Sequence, residues 1–257
     1  ALARKRSYEF ANQLEKEAQA EKSTTVFAPK NLGPSVNSKM SEYLPSQTID
    51  GTQLFYTRRV DIYNEDFYGS TRVKNSNWES AQPLKGSLNT PQSEGAMMIS
   101  QDGTLLVFTG CYRSDSYGGC DLYISTKTKE GWSAAKNLGP RINSEQWESQ
   151  PCLSPDKREL YFASRRSGGY GGSDLYVSRL QENGQWGDPI NLGQTVNSPA
   201  DEQCPFIHAD NQTLYFTSPY WQGYGDDDLF LARKQNDGSW STPKNLGYPI
   251  NTIDREG

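Results

Sequence analysis

The chain has 257 residues and a formal net charge of −5, and its 26 basic and 31 acidic side chains are mixed along the sequence. Nucleic acid is therefore not expected as a partner, because binding it requires a basic face. No run of 18 or more apolar residues occurs, so we predict no transmembrane helix and no direct insertion into a membrane.

The first 24 residues differ in composition from the rest and are predicted to form one N-terminal α-helix or a linker. Their residue types favour helix, and Phe10, Leu14 and Ala18 share one helical face at i, i+4 and i+8. Such a helix would end an upstream helical repeat domain.

A repeat of about 54 residues fills the chain after this segment. Four tryptophans are each 54 residues apart, and an acidic residue recurs with nearly the same spacing. The triplet Asn-Leu-Gly keeps this period too, starting at Asn137, Asn191 and Asn245. The tryptophans are Trp78, Trp132, Trp186 and Trp240, and the acidic residues are Glu42, Glu94, Glu148, Glu202 and Glu256. Several independent markers with one period indicate a repeat architecture.

Each repeat is predicted to contain four short strands, which we call a to d. In the third repeat, strand a lies near 150–154, b at 160–164, c at 174–179 and d at 186–192, with a glycine-rich loop between b and c. Four strands in a repeat of this length predict an all-β fold, a β-propeller of four-stranded blades. The propeller is predicted over 25–257, with blades near 42–86, 94–139, 148–193 and 202–247.

The two ends of the repeat region suggest a further blade. Residues 25–32 align with a strand d, and 254–257 align with the opening of another repeat. Because a propeller can close its ring by joining strands from both termini, we expect five blades in the full chain. The closing blade would combine 25–32 with sequence after residue 257.

The repeat pattern resembles the WD40-like β-propeller repeat of bacterial envelope proteins. The third repeat carries it clearly, in Pro151, Ser154, Asp156, the segments 160–164 and 171–176, Trp186, Pro189 and 191–193. The resemblance covers roughly residues 25–257. The first repeat departs from the pattern, because its b–c region from Arg58 to Glu65 lacks the glycine run, and we expect that loop to differ in shape.

The resemblance implies a location and a role. In Bacteroidetes such propellers commonly lie between a tetratricopeptide-repeat domain and an OmpA-like peptidoglycan-binding domain. It therefore implies a periplasmic, outer-membrane-associated scaffold of the OmpA family, belonging to a type IX secretion complex. Its partners would be other envelope or secretion-system proteins, with peptidoglycan bound by a separate domain outside this chain.

The b–c and d–a loops should share one rim of the propeller, since neighbouring strands are antiparallel. The repeated glutamates and the asparagines there could form a ligand platform, but we favour a role in satisfying backbone amides between blades. Those asparagines are Asn37, Asn89, Asn143, Asn197 and Asn251. The non-repeated rim residues are the better binding candidates, because loops, arginine and aromatic residues are favoured at interfaces. They are Arg113, Asp115, Tyr117, Arg165, Arg166, Tyr170, Tyr220, Trp221, Tyr224, Asp226 and Asp227.

Catalysis and metal binding have little support in the sequence. The only histidine, His208, occupies a turn position, and no nucleophile-elbow or zinc-protease motif occurs. The run from Asp226 to Asp228 could suggest calcium, but Asp228 is the repeat aspartate and no loop of alternating ligands surrounds it. We predict a non-enzymatic protein with no metal or cofactor. The alternatives are a glycan- or peptide-binding propeller, or the accessory or catalytic propeller of a hydrolase with paired rim carboxylates.

The four cysteines fall into two pairs. Cys111 and Cys120 flank the b–c loop of the second repeat, and a disulfide between them would suit an oxidising periplasm. Cys152 and Cys204 lie on the innermost strands of adjacent repeats, where they could bridge blades or remain buried thiols.

Overall fold

The computed structural model describes residue 16 and residues 27–73 and 77–256, and these form a four-bladed β-propeller. The first blade contains β1 (Glu42–Gln47), β2 (Gln53–Arg59), β3 (Glu65–Thr71) and β4 (Gln82–Pro83). The second contains β5 (Glu94–Ile99), β6 (Leu105–Cys111), β7 (Cys120–Thr128), β8 (Gly131–Trp132) and β9 (Lys136–Asn137). The third contains β10 (Glu148–Leu153), β11 (Glu159–Ser164), β12 (Asp174–Arg179) and β13 (Ile190–Asn191). The fourth contains β14 (Gln203–Ile207), β15 (Thr213–Ser218), β16 (Asp228–Arg233) and β17 (Lys244–Asn245).

Strands follow one another antiparallel within each blade, in chain order from the innermost strand a to the outermost strand d. The a–b turns are fixed by side chains: Ser154 donates its hydroxyl to Asp156 (2.5 Å), and the amide of Arg158 donates to Asp156 (3.0 Å). Short polar residues favour such turns because they bond to nearby backbone groups. The repeat turns therefore place strands a and b side by side.

Every strand a carries a β-bulge. The register with strand b shifts at the same place in each blade, and the residue there has a left-handed backbone conformation. These residues are Leu44, Ala96, Gln150 and Cys204, with φ between 48° and 55°. The next residue is proline in three blades, and proline cannot donate to a ladder. The bulge bends strand a where it lines the central channel.

The core lies between blades. Phe55 and Phe67 of the first blade pack against Met97, Phe108 and Trp132 of the second. The Trp132 ring meets Phe55 edge-on at 6.3 Å, and Trp240 of the fourth blade meets Tyr161 of the third at 6.4 Å in the same way. The 54-residue tryptophan thus covers strand b of the preceding blade. Ion pairs from Lys157 to Asp102 (2.5 Å) and from Lys234 to Glu159 (3.3 Å) also join adjacent blades.

The predicted fold class is wrong in one respect. The all-β propeller is confirmed, but residues 27–73 and 77–256 contain no helix, so the described fold is a four-bladed propeller with strands only. The predicted N-terminal helix falls mostly on 1–15 and 17–24, which lie outside the described residues. Within the described chain, no helix is long and apolar enough to cross a membrane.

The five-bladed ring stays a prediction. Residues 27–33 form no strand, and in the described chain no Cα atom of a strand in the first blade lies within 8 Å of one in the fourth. The described blades therefore form an arc that is open between the first and the fourth blade.

Candidate functional site

The central channel opens toward the b–c and d–a loops in a cavity of about 530 Å³, which we call the rim cavity. Strands a of all four blades contribute to its wall, with the polar side chains of Ser149, Gln150 and Gln203 among them. Charged side chains surround it as well, namely Arg59, Glu65, Asp227, Arg255 and Glu256. Asp227 forms an ion pair with Arg255, and Glu65 forms one with Arg59 at 3.6 Å.

The repeated glutamates hold the d–a loops. Glu94, Glu148 and Glu202 are fully buried. In the third blade, the amide and hydroxyl of Ser144 donate to the Glu148 carboxylate at 2.7 and 2.6 Å. Such a bond network satisfies backbone and hydroxyl donors that would otherwise be buried without a partner. The structure therefore supports a structural role for the repeat glutamates.

An arginine completes this network in three blades. Arg113 contacts Glu94 at 2.8 Å and donates to the Leu88 carbonyl at 2.7 Å. Arg166 contacts Glu148 at 3.3 Å and donates to the Ile142 carbonyl, and Arg58 plays the same part in the first blade. The predicted rim residues Arg113 and Arg166 are thus engaged within the fold, with side chains only 10% and 18% exposed.

The fourth blade lacks this arginine. The position of Arg166 is taken by Tyr220, and the Glu202 carboxylate is bonded by Ser198 and by the Ser218 hydroxyl (2.8 Å) instead. Desolvation by burial raises the pKa of Glu202 above its usual value. The fourth blade therefore holds a buried carboxyl group without the cation that accompanies its equivalents.

Glu202→Gln should increase stability as pH rises. A folded-state pKa above the unfolded value means that ionisation opposes folding, so Glu202 favours the folded state below the unfolded pKa and loses this contribution as pH rises through the folded pKa. Urea unfolding at pH 4, 5.5 and 7 should show the variant gaining on the wild type with pH. The matched control, Glu148→Gln, removes half of an ion pair and should destabilise at pH 7. An identical response of both variants would contradict this account.

The repeat aspartates fix the b–c loops. The amides of Tyr117 and Gly118 donate to Asp121 at 2.8 and 3.0 Å, and those of Tyr170 and Gly171 donate to Asp174 at 2.7 and 3.0 Å. Asp228 binds the amides of Tyr224 and Gly225 in the same way, so its carboxylate is occupied by the loop. Among the described residues, no group of three or more His, Cys, Asp or Glu side chains could hold a metal ion.

The first blade lacks this arrangement. One carboxylate oxygen of Asp66 is buried without a hydrogen-bond partner among the described residues, and burial raises the pKa of this group. The loop beside it turns instead through the amides of Tyr63 and Asn64 on Asp61. The predicted difference in the shape of this b–c loop is therefore present.

Exposed tyrosines from every blade surround the rim cavity. We call this set the tyrosine rim, and it consists of Tyr63 (86% exposed), Tyr112 (78%), Tyr117 (49%), Tyr170 (45%) and Tyr220 (53%). All five lie in b–c loops. Sequence reasoning found three of them and missed Tyr63 and Tyr112, although an aromatic residue just after a predicted strand b was an available signal.

The remaining predicted site residues are divided between the surface and the interior. Arg165 is exposed, with its guanidinium 5.1 Å from the centre of the Trp147 ring. Asp115 is exposed and accepts a bond from the Tyr123 hydroxyl at 2.8 Å, and Asp226 is also exposed. Trp221 and Tyr224 are half-buried, and Trp221 packs against the core between the third and fourth blades. The arginines and carboxylates of the rim cavity other than Asp227 were missed.

A disulfide closes the b–c loop of the second blade. Cys111 and Cys120 lie opposite each other on β6 and β7 and are bonded, as their positions in the sequence predicted. This bond brackets the segment that carries Tyr112 and Tyr117. Cys152 and Cys204, whose state the sequence left open, are both free thiols.

No protein-family model matches this chain, and no curated protein matches it. Solved structures do resemble it: TolB from Acinetobacter baumannii has 16% identity and a TM-score of 0.56 over 87% of this chain. TolB from Agrobacterium tumefaciens has 14% identity and a TM-score of 0.53 over 80%, and a thermostable family-43 glycoside hydrolase has 15% and 0.55 over 84%. This chain spans 48%, 62% and 76% of those three chains, respectively.

The fold is therefore that of a β-propeller with TolB-like neighbours. At these identities the likeness concerns the fold alone, and the same fold occurs in the glycoside hydrolase. None of these comparisons points to the OmpA family or to a component of type IX secretion.

Proposed function

We propose that this chain is a non-catalytic interaction propeller that binds a protein partner on its tyrosine rim, within a periplasmic protein of the bacterial envelope. The observation that carries the proposal is the exposure of tyrosines from all four blades on one face. Tyrosine is enriched at protein interfaces because it offers a large apolar ring and a polar hydroxyl at low entropic cost.

The loops that carry these tyrosines are held in place before any partner binds. Asp121 and Asp174 bond the loop backbones at Tyr117 and Tyr170, and a disulfide joins the ends of the loop in the second blade. A surface that is already ordered loses less conformational entropy on binding than a mobile one. This preorganisation suits a docking platform.

A hydrolase is the second candidate, because Glu65, Asp227 and Glu256 line the rim cavity and a glycoside hydrolase shares the fold. Burial raises the pKa of Glu256, as a general acid would need. However, Glu256 occupies the repeat position whose equivalents hold d–a loops, and Asp227 is paired with Arg255. These contacts favour a structural role for the carboxylates.

The finer assignment rests on the repeat pattern. We propose an outer-membrane-associated scaffold of the OmpA family within a type IX secretion complex, with PorE as the component that the pattern resembles. Partners would be other envelope or secretion-system proteins, and peptidoglycan would be bound by a domain outside this chain. The resemblance of the fold to TolB propellers is compatible with an envelope protein.

Site-specific photo-crosslinking tests the docking face. Benzoylphenylalanine would replace Tyr112 or Tyr170 on the tyrosine rim, or Ile190, which is 53% exposed on the outer strand β13 and serves as the control. After incubation with solubilised envelope of the source organism and irradiation, adducts would be identified by mass spectrometry. We expect the same protein from both rim positions and no adduct with it from the control position.

Two outcomes would count against the proposal. Equal adducts from all three positions would move the docking surface away from the rim. Release of reducing sugar from arabinan by the wild-type chain, lost in Asp227→Asn, would favour the hydrolase instead.

A further inference from the structure

The central channel has a second cavity at its other end. This cavity, which we call the turn-side cavity, also measures about 530 Å³ and reaches the a–b turns through Ile49, Gln101 and Ala209. It meets the rim cavity at the bulge residues Leu44, Ala96, Gln150 and Cys204, which line both. The two cavities are therefore the two halves of one channel, lined throughout by the strands a.

The two halves differ in charge. Among the described residues that line the turn-side cavity, none is Asp, Glu, Lys, Arg or His, whereas the rim cavity has five such residues. Desolvation by burial raises the pKa of Cys152 to about 12 and that of Cys204 to about 11, so both thiols are neutral at physiological pH. In a chain where 22% of residues are charged, this wall is uncharged throughout.

The wall is apolar and accessible. Met97, Met98, Ile99 and Ile207 contribute aliphatic and thioether groups, and three prolines follow the bulges. Ile49 is 73% exposed and Phe206 is 49% exposed at this cavity, so apolar surface remains in contact with water. A contiguous apolar cavity of several hundred cubic ångströms is the usual form of a ligand site.

The absence of charge narrows the occupant. A phosphate headgroup, a fatty-acid carboxylate or an acidic glycan would lose its hydration without gaining a cation, and a basic group would find no carboxylate. A neutral peptide would instead bury apolar side chains, and methionines adapt to differing side-chain shapes. The side-chain amide of Gln101 has no hydrogen-bond partner among the described residues and could pair with a peptide backbone.

We infer that the turn-side cavity binds an uncharged, apolar peptide segment of a partner protein. This site lies at the end of the channel opposite the tyrosine rim and does not depend on the proposed docking there.

Binding to an array of capped hexapeptides tests the inference. The peptides would be acetylated and amidated and would fall into three classes: neutral apolar sequences, the same sequences with two lysines, and the same with two aspartates. Fluorescently labelled 257-residue chain would be titrated over the array. We expect saturable retention by members of the neutral class and at least tenfold weaker retention by both charged classes.

Two matched variants locate the binding. Ile49→Lys places a charge at the cavity, whereas Ile190→Lys makes the same change on β13 at a position of similar exposure outside both cavities. Ile49→Lys should weaken retention at least tenfold, and Ile190→Lys should leave it unchanged. A Tyr63→Ala, Tyr112→Ala double variant should also leave it unchanged, which separates this site from the tyrosine rim.

Several results would overturn the inference. They are no retention by any peptide, equal retention by the charged classes, or equal behaviour of the two lysine variants. Binding to phosphatidylethanolamine–phosphatidylglycerol vesicles without binding to peptides would assign the cavity to lipid instead.

Discussion

Arg166→Ala should destabilise the protein by about 3 kcal/mol, because it leaves the buried Glu148 carboxylate without its cation. The guanidinium also donates to the Ile142 carbonyl and lies 4.9 Å from the centre of the Tyr176 ring. One substitution therefore removes an ion pair, a backbone bond of the d–a loop and a cation–π contact. Urea unfolding at pH 7 would measure the loss.

The neighbouring arginine provides the control. Arg165 is exposed and contacts the Trp147 ring, so Arg165→Ala should change the free energy of unfolding by less than about 1 kcal/mol. A Glu148→Gln, Arg166→Ala double variant should be less destabilised than the sum of the two single variants, since the buried charge is then removed as well. Equal losses from Arg165→Ala and Arg166→Ala would refute the assignment of Arg166 as a structural anchor.

Gly118→Ala should destabilise the protein by about 3 kcal/mol through overpacking between the second and third blades. A Cβ atom on Gly118 would lie 2.8 Å from the backbone oxygen of Ser144 and closer still to that of Gln146. Both oxygens belong to the d–a loop that leads into the third blade, and backbone cannot rotate aside as a side chain can. Thermal unfolding followed by circular dichroism would show a lower midpoint.

The adjacent glycine separates crowding from loss of backbone freedom. A Cβ atom on Gly119 would lie 3.9 Å from the Gln146 oxygen, an ordinary contact. Gly119→Ala should therefore change the stability by less than about 1 kcal/mol. If both alanine variants unfold at the same temperature, the close approach of the two loops does not limit this position.

The regular part of the fold could be predicted because each blade repeats the same local chemistry. Strands b and c of the third blade were expected at 160–164 and 174–179 and are observed at Glu159–Ser164 and Asp174–Arg179. Strand d was expected at 186–192, but only Ile190–Asn191 pair with strand c. Pro189 has no amide hydrogen for the ladder, and Trp186 packs against the preceding blade, so the first half of the segment leaves the sheet.

The rim could be predicted only in outline. Adjacent arginines in one loop, Arg165 and Arg166, have opposite roles, and composition does not distinguish an exposed side chain from an anchoring one. The anchoring arginine also changes its place in the repeat: it follows the repeat glutamate by 16 residues in the first blade, 19 in the second and 18 in the third. Alignment by period therefore hides the equivalence of Arg58, Arg113 and Arg166, which appears only when the side chains are seen to reach the same carboxylate.

The tryptophan contacts between blades make the unit of folding different from the unit of sheet. Strand b of one blade is covered by the tryptophan of the next, as Trp132 covers Phe55 and Trp240 covers Tyr161. A single blade thus lacks one wall of its own core, and a cooperative unit must extend across a blade boundary. Duplication or loss of 54 residues conserves every such junction wherever the cut falls, which gives a physical reason why repeats of this kind can vary in number without losing their packing.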